Sequence, residues 1–192
     1  MNKDVCDRPF PQGGWQLVHA IGATLPRGAK TTAVGVTAIS AGTGAVHSIL
    51  MTVEGFVLFD AAYDGKITVN RAVPPFDSPA FARGLMNDIQ FIFFPPNGEL
   101  IRRGIADDGA HVCRYLASDG TVIDVILGPG KGWKIEAYKD GRVIRSVQAW
   151  SGKSVSDKEA HPIARRMTLS ATRPRNYTLT FRLIEAKQIT EQ

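Results

Sequence analysis

Four histidines (His19, His47, His111, His161), two cysteines (Cys6, Cys113) and a scatter of carboxylates are the groups from which this chain could build a reactive centre. Their spacing assembles none. No C-x-x-C or H-x-x-x-H run supplies the clustered nitrogen and sulfur ligands that zinc takes. No G-x-S-x-G elbow, P-loop or H-E-x-x-H motif occurs. His111 stands two residues from Cys113 on a predicted strand, which leaves same-face side chains about 7 Å apart, too far for a Cys–His dyad. Asp107-Asp108 precedes Gly109, where an aspartate hydrogen-bonds its own backbone and caps a chain reversal. The glycine-rich runs GPGKGW (128–133) and SAGTG (40–44) are expected as loops between strands, without the helix N-terminus that receives a phosphate. Asp88 is different, because Ile89 and Phe91 beside it imply burial. With His111 it is the acid–base candidate of an alternative reading, an enzyme acting on a small apolar substrate. The leading expectation is no enzyme, no catalytic residues, no metal and no cofactor.

Composition points the same way. The chain has 192 residues, a formal charge of +5, a pI near 9.4 and a mean hydropathy of −0.07. A chain of this length buries about 70% of its unfolded surface, so a core needs no staples. No apolar run reaches the ~18–20 residues of a membrane-spanning helix. The basic excess is dispersed except at Arg165, Arg166, Arg173 and Arg175, a cluster suited to an anionic membrane surface or to a solvated edge that discourages aggregation. Nucleic acid is not expected as a partner, since the aromatic residues follow the apolar strand faces and the basic ones do not interleave with them. Cys6 and Cys113 have one disulfide available to them but no disulfide framework. The N-terminus has no apolar signal region, and Lys3-Asp4-Val5 before Cys6 is no lipobox, so the chain reads as cytoplasmic or as a mature end. Residues 1–14 are expected as a flexible leader and 15–189 as a single domain.

The elements that must position any site follow from a row of turn dipeptides: Asp64-Gly65, Asn97-Gly98, Asp108-Gly109, Asp119-Gly120 and Asp140-Gly141. Each tolerates the positive φ of a tight hairpin. Strands are predicted at 33–40, 45–60, 66–73, 100–106, 111–117, 121–127, 133–139, 142–150, 165–172 and 177–187. Short turns make neighbours antiparallel, giving a meander. Parity gives faces. In 45–60 the odd set Ile49, Met51, Val53, Val57 and Phe59 is apolar, and it carries His47 with it as a core histidine. In 133–138, Trp133, Ile135 and Ala137 oppose Lys134, Glu136 and Tyr138; in 177–184, Tyr177, Leu179, Phe181 and Leu183 oppose Thr178, Thr180 and Arg182.

The apolar face needs a cover. Ser78 is an N-cap, Pro79 suits the first turn, and Phe81, Leu85, Met86, Ile89 and Phe93 share one helical face before Pro95-Pro96 ends it. A second, weaker helix is read over 15–22. The fold class is thus mainly β: a curved antiparallel sheet forming an unclosed half-barrel, with one or two helices on its concave face. About ten strands exceed what an open sheet holds flat, and so little helix leaves room for an apolar cavity. The ligand-binding candidates are Met51, Val53, Phe59, Phe81, Leu85, Ile89, Phe93, Trp133, Leu179 and Phe181. A filled core docking through a strand edge, as a protein-interaction module, is the further alternative.

The strand pair VHSILMTVEGFVLFDAAYDGKITVNRAV (46–73), the helix SPAFARGLMNDI (78–89) and the closing pair IARRMTLSATRPRNYTLTFRLIEAKQI (163–189) resemble, in order and texture, the LolA/LolB-like superfamily of bacterial lipoprotein carriers. The resemblance implies an unclosed barrel lidded by helices, carriage of the acyl chain of a lipid or lipoprotein, and a place in the periplasm or on the periplasmic face of the outer membrane.

Overall fold

Alternation and turn chemistry resolve into twelve strands and one α-helix in the computed structural model, which describes residues 5–130, 132–150, 163–172 and 176–190. The strands are β1 (Gly14–Thr24), β2 (Lys30–Ser40), β3 (Val46–Met51), β4 (Val57–Tyr63), β5 (Ile67–Ala72), β6 (Glu99–Ile105), β7 (His111–Leu116), β8 (Val122–Leu127), β9 (Gly132–Lys139), β10 (Arg142–Trp150), β11 (Arg166–Ala171) and β12 (Tyr177–Ile189). The helix α1 (Pro79–Phe93) lies between β5 and β6 in the chain. All twelve strands form one antiparallel sheet in the order β5-β4-β3-β2-β1-β12-β11-β10-β9-β8-β7-β6, whose end strands do not pair with each other. The fold is therefore the mainly β, unclosed sheet with a helix that the sequence implies.

Four of the five turn dipeptides join hairpin partners: β4–β5, β6–β7, β7–β8 and β9–β10. At β9–β10 both Asp140 (φ 52°) and Gly141 (φ 73°) have positive φ, the signature of the turn whose twist matches that of its flanking strands. Asn97-Gly98 instead connects α1 to β6. The expected strand 45–60 is two strands. Thr52–Phe56 reverses the chain, with the Gly55 amide donating to the Thr52 carbonyl at 3.0 Å and the Thr52 amide to the Phe56 carbonyl at 2.9 Å. β-branched Thr52 and Val53 mask that turn in the sequence. The helix read over 15–22 is a strand, β1: Trp15, Leu17 and His19 are buried at period two.

The chain divides into two compact units. One consists of Pro11–Gly22, Thr31–Phe94 and Arg182–Gln192, and carries α1. The other consists of Met1–Phe10, Ala23–Lys30 and Pro95–Phe181. Its core includes a row across five strands: Cys113, Val125, Ile135, Val147 and Leu169 stand directly opposite one another and are each at most 1% exposed. The other face of the same strands carries a polar row, Arg114, Asp124, Glu136 and Ser146. Arg114 donates twice to the buried Asp124, both at 2.7 Å, while Lys134 and Tyr138 meet Glu136 at 2.6 and 2.7 Å. The Arg114 guanidinium is raised by its bonds to Asp124, and the Tyr138 hydroxyl is pushed up to about 12 by burial and by Glu136.

A flexible leader over 1–14 does not describe Val5 onward. Val5–Asp7 form a 3-10 turn, Cys6 and Phe10 are buried, and Cys6 is disulfide-bonded to Cys113 on β7. The N-terminal segment is thus fixed against the apolar row of its unit. A bond that closes a loop across 107 positions constrains the unfolded chain more than a short loop does. Reduction, or the paired substitution Cys6→Ser with Cys113→Ser, is expected to lower unfolding free energy by about 2–5 kcal/mol. Urea denaturation with and without reductant measures this; coincident curves would show that Phe10 and its neighbours hold the segment without the bond.

Candidate functional site

The site is built from α1 and the strands beneath it, all within the helix-bearing unit. The helix begins where the sequence places it: the Ser78 hydroxyl accepts the Phe81 amide at 3.1 Å, and Pro79 occupies the first turn without wasting an N–H. Two ring contacts fix its course. Near its start Phe81 meets Phe59 of β4 edge-on, with ring centroids 5.1 Å apart, and Phe76 at the same distance. At its end Phe93 lies 6.1 Å from the ring of His19 on β1. Between those residues the helix advances about 18 Å at 1.5 Å per residue. From β4 to β1 is three strand spacings, about 14 Å. The helix therefore crosses β4, β3, β2 and β1 with its middle turns over β3 and β2.

Beneath it the strand registers align the floor. Gly35, Leu50 and Phe59 face one another across β2, β3 and β4, and Thr37, Ser48 and Ala61 form the adjacent row. A Cβ on Gly35 would come within 2.7 Å of Ile21 Cδ1, so only glycine admits that side chain of β1. At the two ends of the β1–β2 pair the Leu25 amide donates to the Ala29 carbonyl at 2.8 Å and the Ala41 amide to the Gly13 carbonyl at 3.1 Å, a register that sets His19 opposite Gly35 and Leu17 opposite Thr37. The floor thus carries three polar side chains: His19 in the Gly35 row, and Thr37 and Ser48 opposite each other in the next. All three are buried, at 3%, 7% and 4% exposure, and Asp88 of α1 is buried at 5%. Four of the five buried polar side chains among the described residues therefore belong to this one layer; the fifth is Asp124. Burial of His19 lowers its imidazole to about 4, so it is neutral at pH 7.

Of the ten predicted ligand-binding residues, Phe59 and Phe81 are in ring contact, Ile89 and Phe93 are buried on α1, and Leu85 is part-buried on the same helix. Met51 follows Leu50 on β3 and points to the opposite face of the sheet. Val53 is 67% exposed in the β3–β4 turn, beside Phe56. Trp133, Leu179 and Phe181 belong to the other unit, each half-buried. Asp88 does face inward as its neighbours suggested. His111 is exposed, and so is His47, expected in the core, because β3 buries its even residues Val46 and Ser48. His47 Nε2 instead meets Asp60 Oδ1 at 2.8 Å on the outer face, where Asn70 donates to the same oxygen at 3.0 Å. Burial alone would raise the Asp60 carboxyl, but the bonds from His47 and Asn70 outweigh it and hold it below its ordinary value. Arg165 and Arg166 stand exposed at the start of β11, while Arg173, Arg175 and His161 lie outside the described residues, so the basic cluster carries no argument for a membrane contact. Among the described residues no group of three or more His, Cys, Asp or Glu is arranged to hold a metal. These polar side chains escaped sequence reasoning because β1 was read as helix and β3 with inverted parity; the alternation Trp15, Leu17, His19, Ile21 is the visible trace of β1.

Searches for similar proteins found no matching family model and no matching curated protein. Solved structures do match. A LolA superfamily protein from Nitrosomonas europaea superimposes with a TM-score of 0.58 at 13% identity, over 97% of this chain and 91% of the other. A putative outer membrane lipoprotein-sorting protein domain from Vibrio parahaemolyticus gives 0.55 at 9% identity, over 97% and 90%. The chain has the LolA-like fold.

The buried imidazole sets a pH dependence of stability. The folded chain protonates His19 near 4 and the unfolded chain at 6.5, so between those values the unfolded chain holds the extra proton and stability falls as pH falls. The loss over that window is roughly 3 kcal/mol at 1.36 kcal/mol per unit. His19→Gln should flatten it, measured by urea denaturation at pH 7 and pH 4.5; equal losses in both proteins would exclude His19 as the cause.

Proposed function

We propose that this LolA-like chain is a non-enzymatic binder of the acyl chain of a lipid or lipoprotein, held between α1 and the inner face of β1–β4. The observation that carries the reading is the layer itself: one helix laid across four strands, touching them through aromatic residues at both ends, with Phe59, Phe81, Leu85, Ile89 and Phe93 on the facing surfaces. A single helix tethered by short loops is a cover that can lift without unpairing the sheet. Each methylene buried contributes about 0.8 kcal/mol, so a chain of ordinary length binds such a surface with no sequence motif. The Vibrio parahaemolyticus domain of the same fold, a putative outer membrane lipoprotein-sorting protein, supports the same class of ligand. The Cys6–Cys113 bond supports a place in an oxidising compartment such as the periplasm, since structural disulfides are rare in reducing ones.

Native mass spectrometry of the purified protein, followed by organic extraction, tests this directly. A co-purifying acyl lipid, released on denaturation, is the expected result. Binding of a fluorescent fatty acyl probe should weaken at least tenfold in Phe81→Asp and Leu85→Asp variants that keep the parent far-UV spectrum. Phe81 and Leu85 are both only partly buried on the helix, so these variants are suited to folding. An empty protein that also ignores the probe would overturn the reading.

A further inference from the structure

Strand β6 ends the sheet, with β7 as its strand neighbour among the described residues. Its ladder leaves part of its backbone unused. The Ala106 amide donates to the Ala110 carbonyl at 2.8 Å, in the register that pairs β6 with β7, and so marks the positions that bond to β7. In an antiparallel pair these alternate with positions whose N–H and C=O point the other way, so the backbone of Ile105 addresses the outer edge. That edge is open. Ile101, Arg102, Arg103, Gly104 and Ile105 are all exposed, Ile101 at 46% and Ile105 at 69%. The strand at the other end of the sheet, β5, instead turns Asn70 and Arg71 back onto β4, where they donate to Asp60 and to the Val57 carbonyl.

Charge narrows what the edge accepts. From Arg102 to Ile105 the strand reads Arg-Arg-Gly-Ile, and its one acid, Glu99, lies beyond an irregularity between Leu100 and Arg102. Arg102 stands directly opposite Arg114, whose charge is offset by Asp124 through two bonds of 2.7 Å. Arg102 makes no ion pair among the described residues. It shares the register of Ala106 and bonds to β7, so towards a strand added outside β6 its position is a non-hydrogen-bonded one, where opposed side chains come closest. A second copy of β6 would bring the arginines of both chains to one seam with no acid between Arg102 and Ile105, and like charges opposed across strands are unfavourable. From the outward backbone of Ile105 and the unpaired charge of Arg102, we propose that β6 takes up an extended acidic segment of another polypeptide as an added antiparallel strand, with a carboxylate against Arg102 and an apolar side chain against Ile105. Backbone pairing supplies the affinity, and these two side chains set the choice of partner. In antiparallel register the partner carries its acid three residues after its apolar residue. The arginine that deters a second copy of this edge is the one that admits an acidic strand. This interaction goes beyond acyl binding and does not depend on it.

The test uses the full, isotopically labelled chain and three capped polythreonine peptides, each with one valine and, three residues after it, glutamate, glutamine or lysine. Amide shifts are followed at low salt. The glutamate peptide is expected to shift the Ile105 amide and protect it from exchange, and to bind about fivefold more tightly than the lysine peptide, with glutamine between them. That gap should close in about 1 M salt, where charges are screened within about 3 Å. In Arg102→Glu the order should reverse, lysine above glutamate, an outcome that a merely structural role for Arg102 does not produce. Ile105→Pro should abolish binding of all three: it removes the outward N–H and leaves the Ala106 bond to β7 in place, a position where an edge strand admits proline. The charge reversal needs no proline variant to fold. An order unchanged in Arg102→Glu, shifts that map away from β6, or binding that survives Ile105→Pro would each overturn the proposal. So would a chain that ignores all three peptides, whether it stays monomeric or pairs with a second copy through β6.

Discussion

One face of an antiparallel sheet is apolar in this chain, and an apolar face must be covered; the rest of the architecture answers that requirement. The sheet does not close on itself, so it cannot cover its own face as a barrel does. Each unit meets the requirement with different means. In one, a 15-residue helix crosses the strands and anchors at Phe81 and Phe93. In the other, a short N-terminal segment contributes buried Cys6 and Phe10 and is tied to β7 by a covalent bond. A hydrophobic anchor can be exchanged for a ligand of similar character. A disulfide cannot.

Most of the strands could be read from the sequence because their turns announce themselves. Asp-Gly pairs require the backbone that hairpins use, and Ser78-Pro79 is a helix start on chemical grounds alone. Three features were hidden for separate physical reasons. The turn at Thr52–Phe56 is written partly in β-branched residues, so β3 and β4 ran together and the inner face of β3 was assigned to the wrong parity. In β1, Trp15, Leu17, Val18 and Ile21 satisfy a helical period as well as an alternating one, and only pairing within the sheet decides between them. The partner of Cys6 lies 107 positions away, and no local signal specifies so distant a contact.

The same limits governed the candidate site. Phe81, Leu85, Ile89 and Phe93 were legible because a helix writes its face at a fixed spacing, and Phe59 because β4 keeps its odd parity. Ser48 and His19 sit on the two strands whose faces were misread, so the polar part of the layer was invisible while its apolar part was not. The two strand histidines show how much depends on face. His19 is buried and held neutral by desolvation. His47, with equal standing in the sequence, faces outward and joins Asp60 and Asn70 in a solvated cluster.

The strand order places β1 beside β12, so the first strand of the chain pairs with the last. Sequential hairpins can zip as they are synthesised, but this seam cannot form until nearly the whole chain is available. Its closure carries the largest loop entropy in the molecule, which makes it a natural slow step and gives the fold a high contact order. Until then β1 presents an open edge whose buried residues, Trp15, Leu17 and His19, are committed to a neighbour not yet made. Until that pairing forms, β1 is an aggregation-prone edge of the kind that an escort recognising extended apolar segments binds.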